Sequence, residues 1–303
     1  MTEGYTEDGL YTDGYGYYAD LPEGRTLAAV DMEDDRETYE VAEGTIRIAA
    51  DAFDNTEWLK TVGIPSSVTV IEEGALSNGR GWADPYKGIE TIILSPENKV
   101  YFTEGDYLWE KTENGLKLFR YLAEDNEAVI PQGTAAIAKK AFFNRKLSFV
   151  RIPAENVRIR FPEKHGFYLE NLLSCLGKNA LMYDFADYDH FITTDYFNCT
   201  KLLMLTDRLS APLRLADETA EDFRQHVLSH VEETAGALIR EDGVDTLEAL
   251  ADCGLVTAEN ADEYIELFNK AGKTALLSYA MNYKNEHFRQ ADAFGFPDDE
   301  WEI

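Results

Sequence analysis

Two histidines have the clearest capacity for chemistry in this sequence. His226 and His230 are four positions apart in a segment with helical periodicity, so on one helix both imidazoles would face the same way, with Glu233 about one turn further on. Such a set could hold a metal ion. A zinc site, however, needs three or four ligands, and the pair lacks the glutamate of the zinc-protease motif. The spacing therefore favours histidines at the edge of a core and leaves a metal site at His226 and His230 as the weaker alternative.

The cysteines offer no second pattern of this kind. Cys175, Cys199 and Cys253 are far apart and form no CxxC pair, which argues against a disulfide framework and against a structural zinc site. The sequence also contains no Gly-x-Ser-x-Gly motif. We therefore predict free buried thiols, no cofactor and no catalysis. An enzyme or metal-binding protein that uses the second half of the chain is the less favoured alternative.

The charge of the chain is strongly negative and unevenly distributed, with a formal net charge of −29. Residues 1–43 carry 2 basic and 13 acidic groups, residues 44–166 carry 16 and 17, and residues 167–303 carry 10 and 27. The middle part contains a basic stripe between residues 139 and 164. Its members are Lys139, Lys140, Arg145, Lys146, Arg151, Arg158, Arg160 and Lys164. We interpret the stripe first as a solvated edge or a dock for an acidic neighbour within the chain, and alternatively as a surface for an anionic partner. The overall acidity makes nucleic acid an unfavourable partner.

No segment is typical of a membrane span or a signal peptide. No stretch approaches eighteen apolar residues, and the first twenty residues contain neither Lys nor Arg nor an apolar run of signal-peptide length. As it stands, the sequence predicts a cytoplasmic protein. A cell-surface or secreted location is expected instead if a leader peptide has been removed.

The elements that would position these residues follow an internal repeat. The pattern Leu-x-x-Val-x-Ile-Pro occurs at 59–65 and 147–153, and a close variant occurs at 89–96. Other matched positions give a period of 22 to 23 residues, which is typical of a solenoid. Val62 and Ile64 are two apart and are predicted to point inward from a strand, which the following proline ends. Isoleucines from the opposite wall and Ala–large pairs complete the predicted core: Ile48, Ile71, Ile137, Ala52-Phe53, Ala75-Leu76 and Ala141-Phe142.

The segment 64–76 resembles the bacterial BspA-like leucine-rich repeats, the type-5 class, with the approximate consensus Ile-Pro-x-x-Val-x-x-Ile-x-x-x-Ala-Phe. The resemblance extends from about residue 41 to 161. It implies a solenoid over 41–166, with a hairpin near 98–122 that turns at Asn114-Gly115. Residues 1–40, which are acidic and rich in Tyr and Gly, are a possible cap of this solenoid. Many members of that class are secreted or lie on the cell surface.

Residues 167–303 change to a helical period. Five apolar residues recur at three to four positions and predict one helix: Phe223, Val227, Val231, Ala235 and Leu238. A weak echo at an offset of 29 relates the segment 238–250 to 267–279 and predicts two stacked helical hairpins. They look like ankyrin-type units without the loop signature, and an acidic tail follows them. The predicted fold is therefore α+β by segments, a short β-rich leucine-rich-repeat solenoid followed by an all-α domain of helical hairpins.

These observations favour a non-catalytic protein-binding scaffold of unknown oligomeric state. The outward face of the repeated strands is predicted to carry Thr61, Gly63, Thr91, Ile93, Phe149 and Arg151. Ile93 and Phe149 are apolar, and apolar groups on a wet face indicate a contact. The helical domain is the favoured contact and a protein partner is the alternative. A cell-surface adhesin that binds host protein or glycan is the main rival function.

Overall fold

The computed structural model describes residues 4–7, 9–56, 58–77, 89–142, 147–162, 169–176, 180–194 and 196–288. The chain divides into two compact units, residues 1–188 and residues 189–303. Strands build the first unit and helices build the second, so the predicted fold class is confirmed. Arg145, Lys146 and the acidic tail at 297–300 lie outside the described residues.

The strands of the first unit are short, as the repeat predicts. They are β1 Gly4–Tyr5, β2 Tyr11–Thr12, β3 Gly16–Leu21, β4 Gly24–Val30, β5 Thr38–Glu40, β6 Thr45–Ile48, β7 Thr61–Ile64, β8 Val70–Ile71, β9 Thr91–Leu94, β10 Tyr101–Glu104, β11 Tyr107–Thr112, β12 Gly115–Tyr121, β13 Glu127–Val129, β14 Thr134–Ile137, β15 Phe149–Ile152, β16 Val157–Arg160, β17 Leu173–Leu176 and β18 Ala180–Tyr183.

Successive repeats stack their strands in parallel on two walls of a coil of about five turns between residues 25 and 151. On one wall, β5 pairs with β7 and β7 pairs with β9, so that Thr38, Thr61 and Thr91 align. On the other wall, β4, β6 and β8 pair in the same way. The step from Thr38 to Thr61 is 23 residues, and the step from Glu127 on β13 to Phe149 on β15 is 22 residues, which confirms the predicted period.

The core lies between the two walls. Val62 and Ile64 are buried, and so are the isoleucines of the opposite wall and the three Ala–large pairs. A buried Phe such as Phe53 contributes roughly 1.5–3 kcal/mol to this core. The predicted inward residues are therefore confirmed.

The N-terminal strands pack against the first coil. β3 pairs antiparallel with β4, and β4 pairs parallel with β6 of the first repeat. The hydroxyl of Tyr39 donates to the carboxylate of Asp13 at 2.7 Å, and the hydroxyl of Tyr18, which lies 3.0 Å from the same carboxylate oxygen, is in hydrogen-bonding contact with that of Tyr39. Burial raises the pKa of Tyr18 to about 12. Because β5 spans residues 38–40, the coil begins before the boundary at residue 41 that the repeat predicts.

A hairpin interrupts the stack, in the place where the sequence predicts one. Strands β10, β11 and β12 form this insertion, and β12 rejoins the coil by pairing with β14. The two-residue loop is Glu113-Asn114, one residue earlier than predicted, because Thr112 pairs with Gly115. Gly115 has a φ of 121°, which only glycine adopts readily, and it opens β12 rather than closing the turn.

Polar side chains replace a backbone ladder where the hairpin meets the coil. The Tyr107 hydroxyl donates to the carbonyl oxygen of Val129 on β13 and accepts from its N–H at 3.2 Å. The Tyr101 hydroxyl accepts from the N–H of Ile71 on β8 at 2.9 Å. The buried Asn98 side chain donates to two carbonyl oxygens and accepts from two N–H groups, so all its hydrogen-bonding capacity is used. The two phenols therefore satisfy strand edges that would otherwise be open, and Asn98 satisfies the carbonyl oxygens of Pro65 and Val68 in the turn between β7 and β8.

The coil ends in a small sheet. β13 and β15 are parallel, whereas β16 runs antiparallel to β15 after a 3₁₀ turn at Pro153–Glu155. A two-stranded hairpin, β17–β18, follows. The first helix begins at Ala186, whereas the sequence places the start of the helical part near residue 167.

The helices are α1 Ala186–Thr193, α2 Cys199–Ser210, α3 Asp217–Leu228, α4 Val231–Glu241, α5 Val244–Asp252, α6 Ala261–Lys270 and α7 Thr274–His287. The apolar stripe predicted as one helix lies on two, α3 and α4, because the chain turns at Ser229 and His230. There the N–H of His230 bonds the carbonyl oxygen of Val227, a three-residue step that ends the helix. None of the helices in the described residues is long and apolar enough to cross a lipid bilayer.

The second unit contains the two helical hairpins that the internal echo predicts. α4 with α5 and α6 with α7 each pack across a short loop, and the related residues Leu247 and Leu276 are both buried. A buried ion pair holds the start of this unit. Arg208 of α2 binds Asp189 of α1 through Nε at 2.7 Å and Nη2 at 2.9 Å, and its Nη1 donates to the carbonyl oxygen of Leu213.

Candidate functional site

The β5–β7–β9 sheet places three predicted outward residues as expected. Thr91 is exposed, Thr61 is half-buried, and Ile93 is 52% exposed. Gly63 is buried instead, because the carboxylate of Glu40 on the neighbouring strand occupies the space where a side chain would stand. This face therefore carries one exposed apolar group beside a column of threonines.

The outward side of the β13–β15–β16 sheet carries arginines. We call it the arginine face and define it as Glu127, Phe149, Arg151, Arg158 and Arg160. Phe149 aligns with Glu127 on one side and with Arg160 on the other, and Arg151 aligns with Arg158. The inward neighbours on the same strands, Ala128, Val150 and Ile159, are buried, so the alternation of the strands fixes these five side chains outward.

Ionic and aromatic contacts organise the arginine face. Glu127 accepts from Arg158 Nε at 2.7 Å, and its other oxygen lies 3.3 Å from Arg151 Nε. The guanidinium carbon of Arg158 lies 3.4 Å from the centroid of the Phe149 ring, and that of Arg160 lies 4.9 Å from it. Stacking of this kind contributes roughly 0.5–1 kcal/mol at an exposed site and restricts the motion of the arginine side chain.

Phe149 is therefore less exposed than an apolar side chain on a wet face was predicted to be. Its ring is half-buried because two guanidinium groups cover it. Sequence reasoning placed Arg158 and Arg160 in the basic stripe but did not find the strand that carries them. The alternation of Val157, Arg158, Ile159 and Arg160 was the available signal, since Ile159 alone of the four is buried.

The lysines of the predicted stripe lie elsewhere. Lys139 and Lys140 directly follow β14, which belongs to a different sheet. The backbone N–H of Lys139 donates to Glu73 Oε2 at 3.2 Å, and the Lys140 side chain lies over Gly74. Arg145 and Lys146 are outside the described residues. Of the stripe residues in the described structure, Arg151, Arg158 and Arg160 lie on the arginine face, and the two lysines do not.

The two histidines of the helical unit lie together although they belong to different elements. His226 is in the last turn of α3 and His230 directly precedes α4, and their ring centroids are 5.4 Å apart. The His226 ring stacks on Phe197 at 4.5 Å with an angle of 4° between the planes. Burial, followed by the charges of His230 and Lys201, lowers the pKa of His226. No group of three or more His, Cys, Asp or Glu residues suited to a metal ion occurs in the described parts of the chain.

The thiols are placed differently from one another. Cys199 is buried and Cys253 is half-buried, and neither forms a disulfide. Burial raises the pKa of Cys199 to about 11. The side chain of Cys175 lies outside the described residues.

No protein-family model matches the chain, and no curated protein matches it. Solved structures that resemble it include a leucine-rich repeat protein from Bacteroides capillosus ATCC 29799, with 16% identity, 47% of this chain and 97% of that chain covered, and a TM-score of 0.29. A leucine-rich repeat protein from Eubacterium ventriosum ATCC 27560 has 15% identity, with 46% of this chain and 58% of that chain covered and a TM-score of 0.26. A leucine rich cell surface protein from Faecalibacterium prausnitzii A2-165 has 15% identity, with 50% of this chain and 72% of that chain covered and a TM-score of 0.18. The segment 64–76 resembles this same class of repeat.

Proposed function

We propose that this chain is a non-catalytic protein-binding scaffold, and that its partner presents carboxylates to the arginine face. The observation that supports this most is an imbalance of charge on a rigid surface. The side chains of Arg151 and Arg158 are 54% and 50% exposed, and both pair with the single carboxylate of Glu127. Two cations that share one anion retain capacity for a second anion.

The geometry of Phe149 favours binding by these arginines. Fixing a free arginine side chain costs rotamer entropy of about 2 kcal/mol, which opposes association. The Arg158 guanidinium already lies flat on the Phe149 ring, so part of this entropy is lost before a partner arrives. Its planar guanidinium group can then donate two parallel hydrogen bonds to a carboxylate.

The solenoid supplies the surface on which such contacts add. Parallel strands at a fixed spacing present their outward residues in columns, and this regular surface suits an extended contact with another protein. Ile93 on the β5–β7–β9 face is exposed and can provide an apolar contact within the same binding mode.

The proposal is tested by crosslinking and pull-down from native lysate with the full chain. We expect a discrete acidic protein to be captured, and we expect the Arg151→Gln, Arg158→Gln double variant to lose it while retaining its circular dichroism spectrum. The matched control is Arg36→Gln, because Arg36 also lies over an aromatic ring, Tyr15 at 4.1 Å, and pairs with one carboxylate, Asp34 at 2.8 Å.

Two results would contradict the proposal. Capture that is unaffected by the double variant, or lost equally with Arg36→Gln, would show that the arginine face is not the binding surface. Retention of a sulfated glycan such as heparin, with no protein captured, would favour the adhesin alternative. An Ile93→Asp variant in the same experiment measures whether the apolar residue contributes.

A further inference from the structure

The arginine face ends at a strand edge whose backbone groups point outward. In the described part of the chain, β16 is the last strand of the β13–β15–β16 sheet and pairs with β15 alone. The N–H of Phe161, directly after β16, donates to the carbonyl oxygen of Ser148 at 2.8 Å. In an antiparallel pair, every second residue bonds across in this way. Arg158 and Arg160 lie between those residues, so their backbone groups turn to the open side of the sheet.

A phenol occupies one position of this edge and leaves the next one open. The hydroxyl of the buried Tyr188 donates to the carbonyl oxygen of Arg160 at 2.8 Å, which agrees with the outward direction of that group. No hydrogen bond from the described residues reaches the backbone N–H or carbonyl oxygen of Arg158, which is exposed. On the far side of the same sheet, the Tyr107 hydroxyl closes the edge of β13 at Val129. The sheet is therefore open to a further strand at Arg158.

The side chains beside this edge lack an anion. Arg151 and Arg158 lie opposite each other across β15 and β16, in a pair without mutual backbone hydrogen bonds, where side chains approach most closely. Like charges in that position destabilise a sheet. Glu127 lies 3.3 Å from Arg151 Nε and 2.7 Å from Arg158 Nε, so one carboxylate serves two guanidinium groups. A second carboxylate on the outer side of Arg158 would reduce this repulsion.

The same charges determine which kind of strand can be added. If β16 paired with β16 of a second copy, Arg158 would lie opposite an arginine of that copy, and directly opposed like charges are unfavourable. Charged side chains on an edge strand are a general means by which sheets avoid such pairing. A strand that carries carboxylates at the opposed positions meets attraction in place of repulsion.

We propose that β16 accepts an extended acidic segment of a partner protein as an added antiparallel strand. This inference rests on the proposed function and defines the form in which the partner presents its carboxylates. The partner residue opposite Arg158 exchanges two backbone hydrogen bonds with it, and its side chain lies on the same face as the guanidinium group. Acidic residues at alternate positions therefore lie beside Arg158 and Arg160. The main-chain bonds provide affinity, and the carboxylates determine the choice of partner.

The test measures the binding of blocked, dye-labelled peptides to the full chain by fluorescence anisotropy. The probe is Thr-Val-Glu-Val-Glu-Val-Thr, whose two carboxylates lie on one face of a strand. Its isomer Thr-Val-Val-Glu-Glu-Val-Thr has the same composition and charge, but its carboxylates lie on opposite faces. We expect the isomer to bind about tenfold more weakly, because only one carboxylate can then lie beside the arginines.

Methylation of the peptide backbone separates strand addition from attraction between charges. In the proposed arrangement, the glutamate N–H groups point at β16 and the valine N–H groups point away from it. Methylation of the two glutamate nitrogens is expected to weaken binding about tenfold. Methylation of the nitrogen of the valine before each glutamate is the matched control and is expected to change it little. This comparison uses the unmodified chain, so it does not depend on whether a variant folds.

A variant and hydrogen exchange place the peptide on β16. Arg158→Gln is expected to weaken binding about tenfold, with folding checked by circular dichroism. Arg36→Gln, whose guanidinium group also lies over an aromatic ring and pairs with one carboxylate, is expected to change nothing. The bound peptide should slow exchange of the Arg158 amide.

Two results would overturn the strand addition. One is the absence of binding by the alternating peptide at about 1 mM. The other is equal weakening by the two kinds of methylation. In either case the proposed function is retained if capture from lysate still depends on Arg151 and Arg158, since carboxylates would then bind the arginine face without extending the sheet.

Discussion

Replacing Tyr107 by Phe removes one oxygen atom and tests how the two parts of the coil are joined. The Tyr107 hydroxyl both donates to and accepts from the backbone of Val129 on β13. Burial raises the pKa of Tyr107, so the hydroxyl remains a donor at neutral pH. The Phe ring retains the packing against Trp109 and Tyr121, whose ring centroids lie 5.9 Å and 5.4 Å away. The substitution therefore changes hydrogen bonding and little else.

The expected loss of stability follows from the two hydrogen bonds. Each contributes about 0.5–1.5 kcal/mol net, and a fully buried group left unpaired costs more, about 1–3 kcal/mol. Tyr107 and Val129 are half-buried, so water can partly replace the phenol and the lower range applies. About 1 kcal/mol for each bond gives a loss of about 2 kcal/mol in the free energy of opening β13, or roughly 30-fold in the equilibrium constant.

Hydrogen exchange followed by mass spectrometry measures this opening locally, in peptides that contain Val129. We expect faster exchange in those peptides and unchanged exchange in the helices of the second unit. The control is Tyr5→Phe, because Tyr5 is 71% exposed and its loss of a hydroxyl should change nothing. Equal exchange in the Tyr107→Phe variant and the parent, or a change below about 0.5 kcal/mol, would refute the idea that the phenol replaces a strand.

Three further outcomes are expected. Asn98→Ala should lower the urea midpoint of the first unit by an amount that corresponds to about 3 kcal/mol or more in the free energy of unfolding. Four hydrogen bonds are lost at a buried position. A shift that corresponds to less than about 1 kcal/mol would contradict this. Arg208→Met should destabilise the second unit by about 3–5 kcal/mol in thermal unfolding, because it leaves the buried Asp189 carboxylate unpaired. In the double variant, Asp189→Asn should recover part of this loss. Cys199 in the folded protein should resist alkylation by iodoacetamide at pH 8, because burial raises the pKa of its thiol to about 11. Labelling within minutes would show that the site opens readily.

The repeated coil could be predicted because its determinants are local and recur. Alternation places Val62 inward, and the proline after Ile64 ends the strand, so a single repeat contains the information for its own shape. Copies at a fixed period then specify stacking. The same holds for the hairpin helices, where Leu247 and Leu276 occupy equivalent buried positions.

The details of the candidate surfaces could not be predicted, because they depend on contacts between residues that are distant in sequence or on neighbouring strands. Nothing in the pattern around Phe149 shows that Arg158 will lie on its ring, since this requires the antiparallel return of β16. Gly63 was predicted outward, but Glu40 on the preceding repeat covers it. Each of these contacts joins side chains through a register that only the folded sheet defines.

The helical boundary between α3 and α4 was missed for a different reason. The apolar residues of the stripe are all buried, although they lie on two helices: Phe223, Val227, Val231, Ala235 and Leu238. Period alone therefore cannot distinguish one long helix from two short ones joined by a tight turn. The contact between the rings of His226 and His230 depends on that turn, so its geometry could not be predicted from the spacing of the histidines.

The phenols and the amide at the hairpin have a mechanical consequence for the coil. A backbone ladder is stiff, since each strand is held by several short bonds between groups with almost no freedom to rotate. The hairpin keeps a backbone ladder to β14, but its hydrogen bonds to β8 and β13 come from the hydroxyls of Tyr101 and Tyr107, and Asn98 adds two more to the turn after β7. A bond of this kind is held by side-chain torsions and not by the backbone. Pulling on the two ends of the first unit should therefore open this junction first, and the turns before and after it would separate as two intact segments.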